Sequence, residues 1–305
     1  MTIETPATIA DVAIVGGSYA GVSAALQLAR ARRRVVVIDA GAPRNRVARA
    51  SHGLLAQDGR PPATIALEAR TQLLTYPTVE WRSGTATQAA RLAEGFVLEL
   101  SDHATVQARR LVLATGVVDT LPEVEGLAER WGTAVFHCPY CHGYELNRGA
   151  IGVLAAGPAA VHQALLLPDW GRVTLFTNDA VVLDDDQRRD LADRGVRIEP
   201  APVVRIVDTA TVLLADGRAV ALDGLFTQPR TKPASPLAEH LGCAHDESPL
   251  GTFVRTDTLK ATTTPGVFAC GDTARGAGSV ALAVGDGAQA GISAHRSLIF
   301  DRLPA

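Results

Sequence analysis

Apolar and polar positions come in blocks along this chain, and the blocks follow a fixed order. The segment "DVAIVGGSYAG" opens as a short apolar run, turns at glycines and continues as a helical pattern through "VSAALQLARA". The run "RRVVVIDAG" then predicts a second buried strand ending in an acid, Asp39. Together they form a strand–helix–strand unit about thirty residues long. "RRLVLATGV" and "PGVFACGDTARG" each predict a buried strand that runs into glycine, at Gly116 and Gly271. "SVALAVGDGAQAGISAHRSL" reads as a helix rich in small residues. In the middle of the chain "AIGVLAA" and "RVTLFTNDA" predict two further strands. Unbroken apolar strands that alternate with helices indicate an α/β fold.

The first unit has chemistry as well as pattern. Gly16 allows a tight turn, and Gly21 allows close helix–strand packing. Asp39 stands where a carboxylate can accept from a ribose hydroxyl, and the helix N-terminus would face a pyrophosphate. Ser18 replaces the middle glycine of the dinucleotide fingerprint and leaves room for backbone to approach phosphate. An ordinary crossover without ligand would show the same strand and helix. The acid in register with the glycine turn is what favours a dinucleotide. Glycine after a buried strand admits a large flat ligand, and Asp272 beside Gly271 can accept from a polyol hydroxyl. Each of those two junctions alone is ordinary; their joint presence is not.

Composition narrows the field. The 305 residues suffice for about two domains. Apolar residues make up 47% and charged residues 20%, as in a soluble globular protein. A net charge of −3 gives no general attraction to nucleic acid or anionic membrane. No apolar run approaches the ~18 residues that span a bilayer. The N-terminus "MTIETPATIA" has no basic segment before an apolar one, so the expectation is a cytoplasmic protein with reduced thiols.

Against that background "HCPYCHGYE" stands out, with Cys138 and Cys141 two residues apart and His142 directly after. Zinc would need two more ligands, and Cys243 and Cys270 are isolated. His137 and His142 would complete four donors, but within six residues they fit a tetrahedron poorly. The expectation is therefore no metal. A redox dithiol fits better. The spacing closes a short disulfide, a helix N-terminus or neighbouring cation lowers a thiol pKa, and His142 can move the proton that exchange requires. A plain surface histidine is the competing reading of His142.

The motifs "GGSYAG", "ATG", "CPYC" and "FACGDT" occur in an order and spacing that resemble the low-molecular-weight thioredoxin-reductase type of flavoprotein, over nearly the whole chain. The resemblance implies two Rossmann-like nucleotide-binding domains of the three-layer kind. An FAD domain would comprise residues 1–118 and 246–305, and a domain with the CxxC pair residues 119–245. It implies FAD as cofactor, held near Gly16, Ser18, Gly21, Asp39, Ala40, Ala86, Gly116, Gly271, Asp272, Ser279 and Val280. Arg44, Asn45, His52 and Gln57 are expected near the cofactor too. By the family pattern Cys141 faces the flavin and the more exposed Cys138 meets the substrate. His142 stands where the reductases have an acid. A homodimer is also implied.

The nicotinamide half departs from the pattern. The turn after "AIGVLAA" reads Ala155, Ala156, Gly157, Pro158, Ala159, Ala160 where the reductases have GxGxxA. The first glycine is lost, and proline removes an amide donor. After "RVTLF" come Thr177, Asn178 and Asp179 in place of the basic cluster that grips a 2′-phosphate. Here the chain is more similar to the dithiol oxidases that close the disulfides of gliotoxin, holomycin or romidepsin. They share "CxxCHG" and a degenerate nicotinamide site. That resemblance implies electrons passing from a dithiol to Cys138–Cys141, to FAD and to dioxygen. A disulfide reductase fed by NAD(P)H or ferredoxin, with a thioredoxin-like partner, remains open. So does a flavoprotein without catalysis, which the intact CxxC disfavours.

Overall fold

The computed structural model describes residues 9–301, so most of the N-terminal stretch read above for targeting lies outside the described residues. The chain opens with β1 (Ala10–Val15), α1 (Tyr19–Arg30), β2 (Val35–Asp39), α2 (Pro62–Leu73), β3 (Val79–Ser83), β4 (Ala86–Leu92), β5 (Gly95–Leu100), β6 (Thr105–Leu113) and β7 (Val117–Thr120). The middle holds β8 (Val135–Phe136), α3 (Pro139–His142), β9 (Ala150–Leu154), α4 (Ala159–Leu166), β10 (Arg172–Phe176), α5 (Asp185–Asp193), β11 (Arg197–Glu199), β12 (Val203–Val207), β13 (Thr211–Leu214), β14 (Ala219–Val220) and β15 (Gly224–Thr227). The last part holds β16 (Arg230–Pro233), α6 (Leu237–His240), β17 (His245–Ser248), β18 (Gly251–Val254), β19 (Val267–Ala269) and α7 (Val280–Phe300).

Packing divides the chain into two compact units. The first takes the chain as far as Arg46, Pro62–Val118, and the chain from Thr231 on. The second takes Val47–Pro61 and Asp119–Arg230. These are units of packing.

The first unit is built on a sheet of order β3-β2-β1-β6-β5-β4, with β19 also paired to β6. β1, β2, β3, β6 and β19 run parallel, and β4 and β5 are antiparallel additions. β1 is buried at every position because both faces are covered. Ala13 and Val15 join one core cluster, while Val12 and Ile14 join another with α1 and α7. The two helices meet through small side chains. A Cβ on Gly287 would overlap the Ala20 carbonyl, and one on Gly291 would sit 3.0 Å from the Ala24 Cα. The small-residue pattern of α7 thus records close backbone approach.

The second unit has a parallel sheet of order β11-β10-β9-β15-β8 and an antiparallel sheet β12-β13-β14. The apolar runs of β9 and β10 are its centre. Ile151 and Val153 face one cluster, and Leu154 and Phe176 face another. Both units therefore carry a largely parallel sheet, as the α/β strand pattern led one to expect and as the resemblance implied for each domain.

Candidate active site

In the first unit Gly16, Gly17 and Ser18 join β1 to α1. Gly16 has φ +103°, and a Cβ there would overlap the Ala114 carbonyl of the neighbouring strand. The Gly17 amide donates to Asp39 Oδ1 at 2.9 Å, which ties the acid at the end of β2 to the loop. A Cβ on Gly17 would meet Asp39 Cβ at 2.8 Å. Ser18 is the N-cap of α1, its side chain makes no capping bond, and the first turn has no acidic residue. Gly21 packs on Gly16, whose carbonyl a Cβ would strike.

Other predicted residues gather at the same end of α1. A Cβ on Gly271 would lie 2.9 Å from Ala20 Cβ. Next to it Asp272 pairs with Arg44, Nη1 to Oδ2 at 2.9 Å, both side chains 22% exposed. Asn45 Nδ2 donates to the Tyr19 hydroxyl at 3.1 Å. Ser279 caps α7 by accepting from the Leu282 amide at 3.2 Å, and Val280 begins that helix. Gly116 follows β6, and its neighbour Thr115 bonds Thr273 at 3.2 Å. Ala40 follows Asp39, whose carbonyl accepts from Gly84 at 2.9 Å, two residues before Ala86 at the start of β4. His52 and Gln57 belong instead to the second unit.

There Cys138 and Cys141 form a disulfide with Cα atoms 5.3 Å apart. Cys138 is the N-cap of α3 in extended geometry (φ −108°, ψ 111°), and Pro139 starts the helix with a preset φ. One helical turn thus brings the sulfurs together. Both cysteines are half-buried, so exposure does not single out the one that meets the substrate. The His142 ring stacks on Phe136, with centroids 4.3 Å apart and planes 20° apart. Its pKa is pushed below the ordinary value, mainly by burial; Glu145 pulls it up and His52 pushes it down. His137 instead lies against Trp131, and its carbonyl accepts from Gln163 Nε2 at 2.8 Å. Exposed Tyr140 sets its edge on Trp170. His52 lies between Glu145 (Nε2 to Oε1, 3.3 Å) and Asp58 (Nδ1 to Oδ1, 3.5 Å). Gln57 Oε1 accepts from Arg60.

Cys243 and Cys270 are free and buried. The Cys270 thiol is pushed up to about 12, mainly by burial, with Asp286 also raising it and Lys260 opposing. That thiol has no thiolate to offer near neutral pH. Among the described residues no group of three or more His, Cys, Asp or Glu is arranged to hold a metal ion. No helix among them is long and apolar enough to cross a membrane.

The turn after β9 has Ala155 buried, Gly157 at φ +157°, and Pro158 as the N-cap of α4 with no side-chain cap. After β10, Asn178 (φ 47°) and Asp179 (φ 53°) form a left-handed turn. Asn178 Oδ1 accepts from the Val203 amide at 2.8 Å, which pins that turn to β12. Nearby Glu199 is nearly buried and accepts from Arg218 twice, at 2.6 and 2.8 Å. That arginine also bonds Asp216, so its charge is already matched.

Residues 10–287 match the family described as pyridine nucleotide-disulphide oxidoreductase. This chain belongs to that family. An oxidoreductase structure from Agrobacterium tumefaciens is 56% identical, with 97% of this chain and all of that chain covered at a TM-score of 0.95. The structure of HlmI is 37% identical over 95% of this chain and 93% of its own, at a TM-score of 0.89. Among curated proteins, thioredoxin reductase tcpT of Claviceps purpurea is 33% identical over 96% of this chain and 95% of its own length. Thioredoxin reductase sirT of Leptosphaeria maculans is 32% identical over 95% and 94%.

Members of this pyridine nucleotide-disulphide oxidoreductase family are FAD-binding flavoproteins. The first unit fits such a group. The turn admits only glycine at Gly16 and Gly21, where a Cβ would strike backbone, and at Gly17, where it would strike the Trp81 ring; α1 presents an uncapped N-terminus, and Asp39 is fixed beside it. Two residues of this oxidoreductase escaped the sequence reading. Trp81 on β3 lies against Gly17, and Arg70 stacks on its ring at 4.2 Å. Only a strand prediction for "TVEWRS", paired to β2 with Val37 opposite Trp81, could have revealed them.

Proposed function

We propose that this protein is an FAD-dependent dithiol oxidase that uses dioxygen as acceptor. FAD would lie in the first unit near Gly16, Ser18, Gly21, Asp39 and Asp272, and the domain with the CxxC pair would be residues 119–245. The observation that carries the oxidase reading is the pair of altered turns in the second unit. Ala155 and Pro158 stand in the phosphate turn, and a pinned Asn178–Asp179 turn stands where a 2′-phosphate would need cations. The disulfide beside His142 is intact. Electrons therefore enter at the cysteines.

One substrate thiolate attacks Cys138 Sγ, the Cys138–Cys141 bond breaks, and its electron pair leaves on Cys141. The second substrate thiolate attacks the mixed disulfide at the substrate sulfur, closing the product and releasing Cys138 as thiolate. Two electrons have entered the cysteine pair, and two protons have left the substrate, with His142 as acceptor. FAD, held near Gly16, Ser18, Gly21, Asp39 and Asp272, would supply the two-electron acceptor that reoxidises the Cys138–Cys141 pair, with dioxygen and two protons giving hydrogen peroxide.

A second reading is a disulfide reductase acting on a thioredoxin-like protein with NAD(P)H or ferredoxin as donor. The names of the fungal relatives favour it. Oxygen uptake separates the two. With dithiothreitol in air, one hydrogen peroxide should appear per disulfide formed, and Cys138→Ser should abolish it. Uptake driven by NADPH but not by the dithiol would sink the oxidase reading. We also propose a cytoplasmic homodimer; sedimentation showing only monomer at micromolar concentration would count against the dimer.

A further inference from the structure

We propose that Gln163 is a positioning residue for the redox pair: its side-chain amide grips the peptide that enters Cys138 and so holds that cysteine where the disulfide can close. The inference rests on the dithiol–disulfide exchange proposed above, and it stands whether or not the electrons go on to dioxygen.

The first support is geometry. Gln163 Nε2 donates to the His137 carbonyl at 2.8 Å. That carbonyl lies in the peptide plane that also carries the amide and Cα of Cys138. Fixing the plane leaves only φ and χ1 of Cys138 between the anchor and Sγ. The strand that leads into this turn gives little support of its own. β8 has two residues, stands at the edge of its sheet beside β15, and ends at Phe136, one residue before His137. On the far side of the turn the Cys141 amide donates to the Cys138 carbonyl at 3.2 Å. Gln163 therefore joins α4 to the chain immediately before the cysteine that the substrate thiolate attacks.

The second support is that glutamine is a costly residue at this place. Gln163 is 1% exposed and lies in α4 with the buried Ala160, Val161 and Ala164. Its Oε1 is buried without a hydrogen-bond partner. Among the described residues it is the one such side-chain atom in the second unit. Turning the amide around would set Oε1 against the His137 oxygen, acceptor on acceptor, so the donor has to stay where it is. An apolar side chain of the same length would fill the space and leave nothing unpaired, so stability does not favour glutamine here. A strap that serves stability alone is the competing reading, and it requires the fold to weaken when the amide goes.

The consequence is chemical. In the closed pair the disulfide itself holds Cys138 beside Cys141, with Cα atoms 5.3 Å apart. In the open pair that task falls to the anchor. Without it the open pair gains freedom and the closed pair gains little, so the equilibrium moves toward the dithiol. The anchored pair is thus the stronger reductant, which suits a pair that hands electrons to an acceptor. Gln163 forms and breaks no covalent bond and carries neither proton nor electron; two electrons and two protons move as in the exchange written above.

The test reads the equilibrium of the pair. FAD-loaded protein is equilibrated anaerobically, at one pH, with mixtures of reduced and oxidised dithiothreitol, quenched in acid and alkylated. The proteolytic fragment with Cys138 and Cys141 is then scored as dithiol or disulfide. Gln163→Met keeps the length and removes both the donor and the unpaired acceptor. It should move the equilibrium toward the dithiol by about three- to tenfold, the fold-change that one hydrogen bond carries, and leave Tm unchanged or raise it. Gln163→Leu should do the same. Thr227→Val is the control, because the buried Thr227 hydroxyl donates to the Leu154 carbonyl at 3.0 Å within the same unit. That variant should lower Tm and leave the equilibrium in place. An unchanged equilibrium in both glutamine variants, an equal displacement in Thr227→Val, or failure of both glutamine variants to fold overturns the positioning role and leaves a structural strap. Oxygen uptake by the parent without the displacement removes the positioning role and leaves the oxidase reading standing. The displacement without oxygen uptake does the reverse.

Discussion

At the scale of single residues the proposed chemistry requires that His142 can accept a proton. Burial depresses its pKa below the ordinary histidine value, so it is neutral near pH 7. The sign follows from linkage. A histidine held neutral in the fold resists protonation, so below about pH 6.5 the unfolded chain binds more protons and stability falls as pH falls. Turnover should fall on the same acid side, because the protonated ring is no longer a base. His142→Ala should slow dithiol oxidation by about 10²–10⁴-fold and flatten the acid limb. A pH–rate profile of parent and variant checks this; an unchanged acid limb would remove His142 from the proton step. The cysteines and His142 were legible because they are neighbours in sequence. The partners that surround them were not. Glu145 and His52 are 93 positions apart by their numbers, and Arg44 and Asp272 are 228 apart. No local pattern encodes which charges a fold will bring together.

At the scale of elements, close packing does the positioning. The strand–helix–strand unit was readable because each of its devices is local: buried β1, the Gly16 turn, Ser18 in place of the middle glycine and Asp39 at the end of β2. β4 and β5 were not read in advance, and neither was the β12–β14 sheet. Short half-exposed strands such as β4 and β12 carry a weak alternation, and pairing decides them more than propensity. The small residues of α7 were visible, but their reason appears only with α1 beside them. Gly291→Val should force the helices apart and cost about 1–3 kcal/mol, the usual cost of overpacking. Thermal unfolding should show a lowered Tm, with FAD lost at lower temperature than in the parent. An unchanged Tm would mean that the α1–α7 contact is looser than this geometry.

At the scale of the whole molecule, the family and α/β architecture were legible from the order of a few motifs. The proposed direction of electron flow rests on the departures from the family pattern. The second unit keeps a parallel sheet but presents Ala155, Pro158 and the pinned Asn178–Asp179 turn where a nicotinamide dinucleotide would need open backbone and cations. A fold can keep its core after losing a ligand, since the core is held by Ile151, Val153 and Phe226 and not by the turn. The claim is tested most directly by mixing FAD-loaded protein anaerobically with either NADPH or dithiothreitol and following flavin absorbance. The account predicts bleaching by the dithiol, lost in Cys138→Ser, and little or none by NADPH. Rapid stoichiometric bleaching by micromolar NADPH, with none from the dithiol, would contradict it.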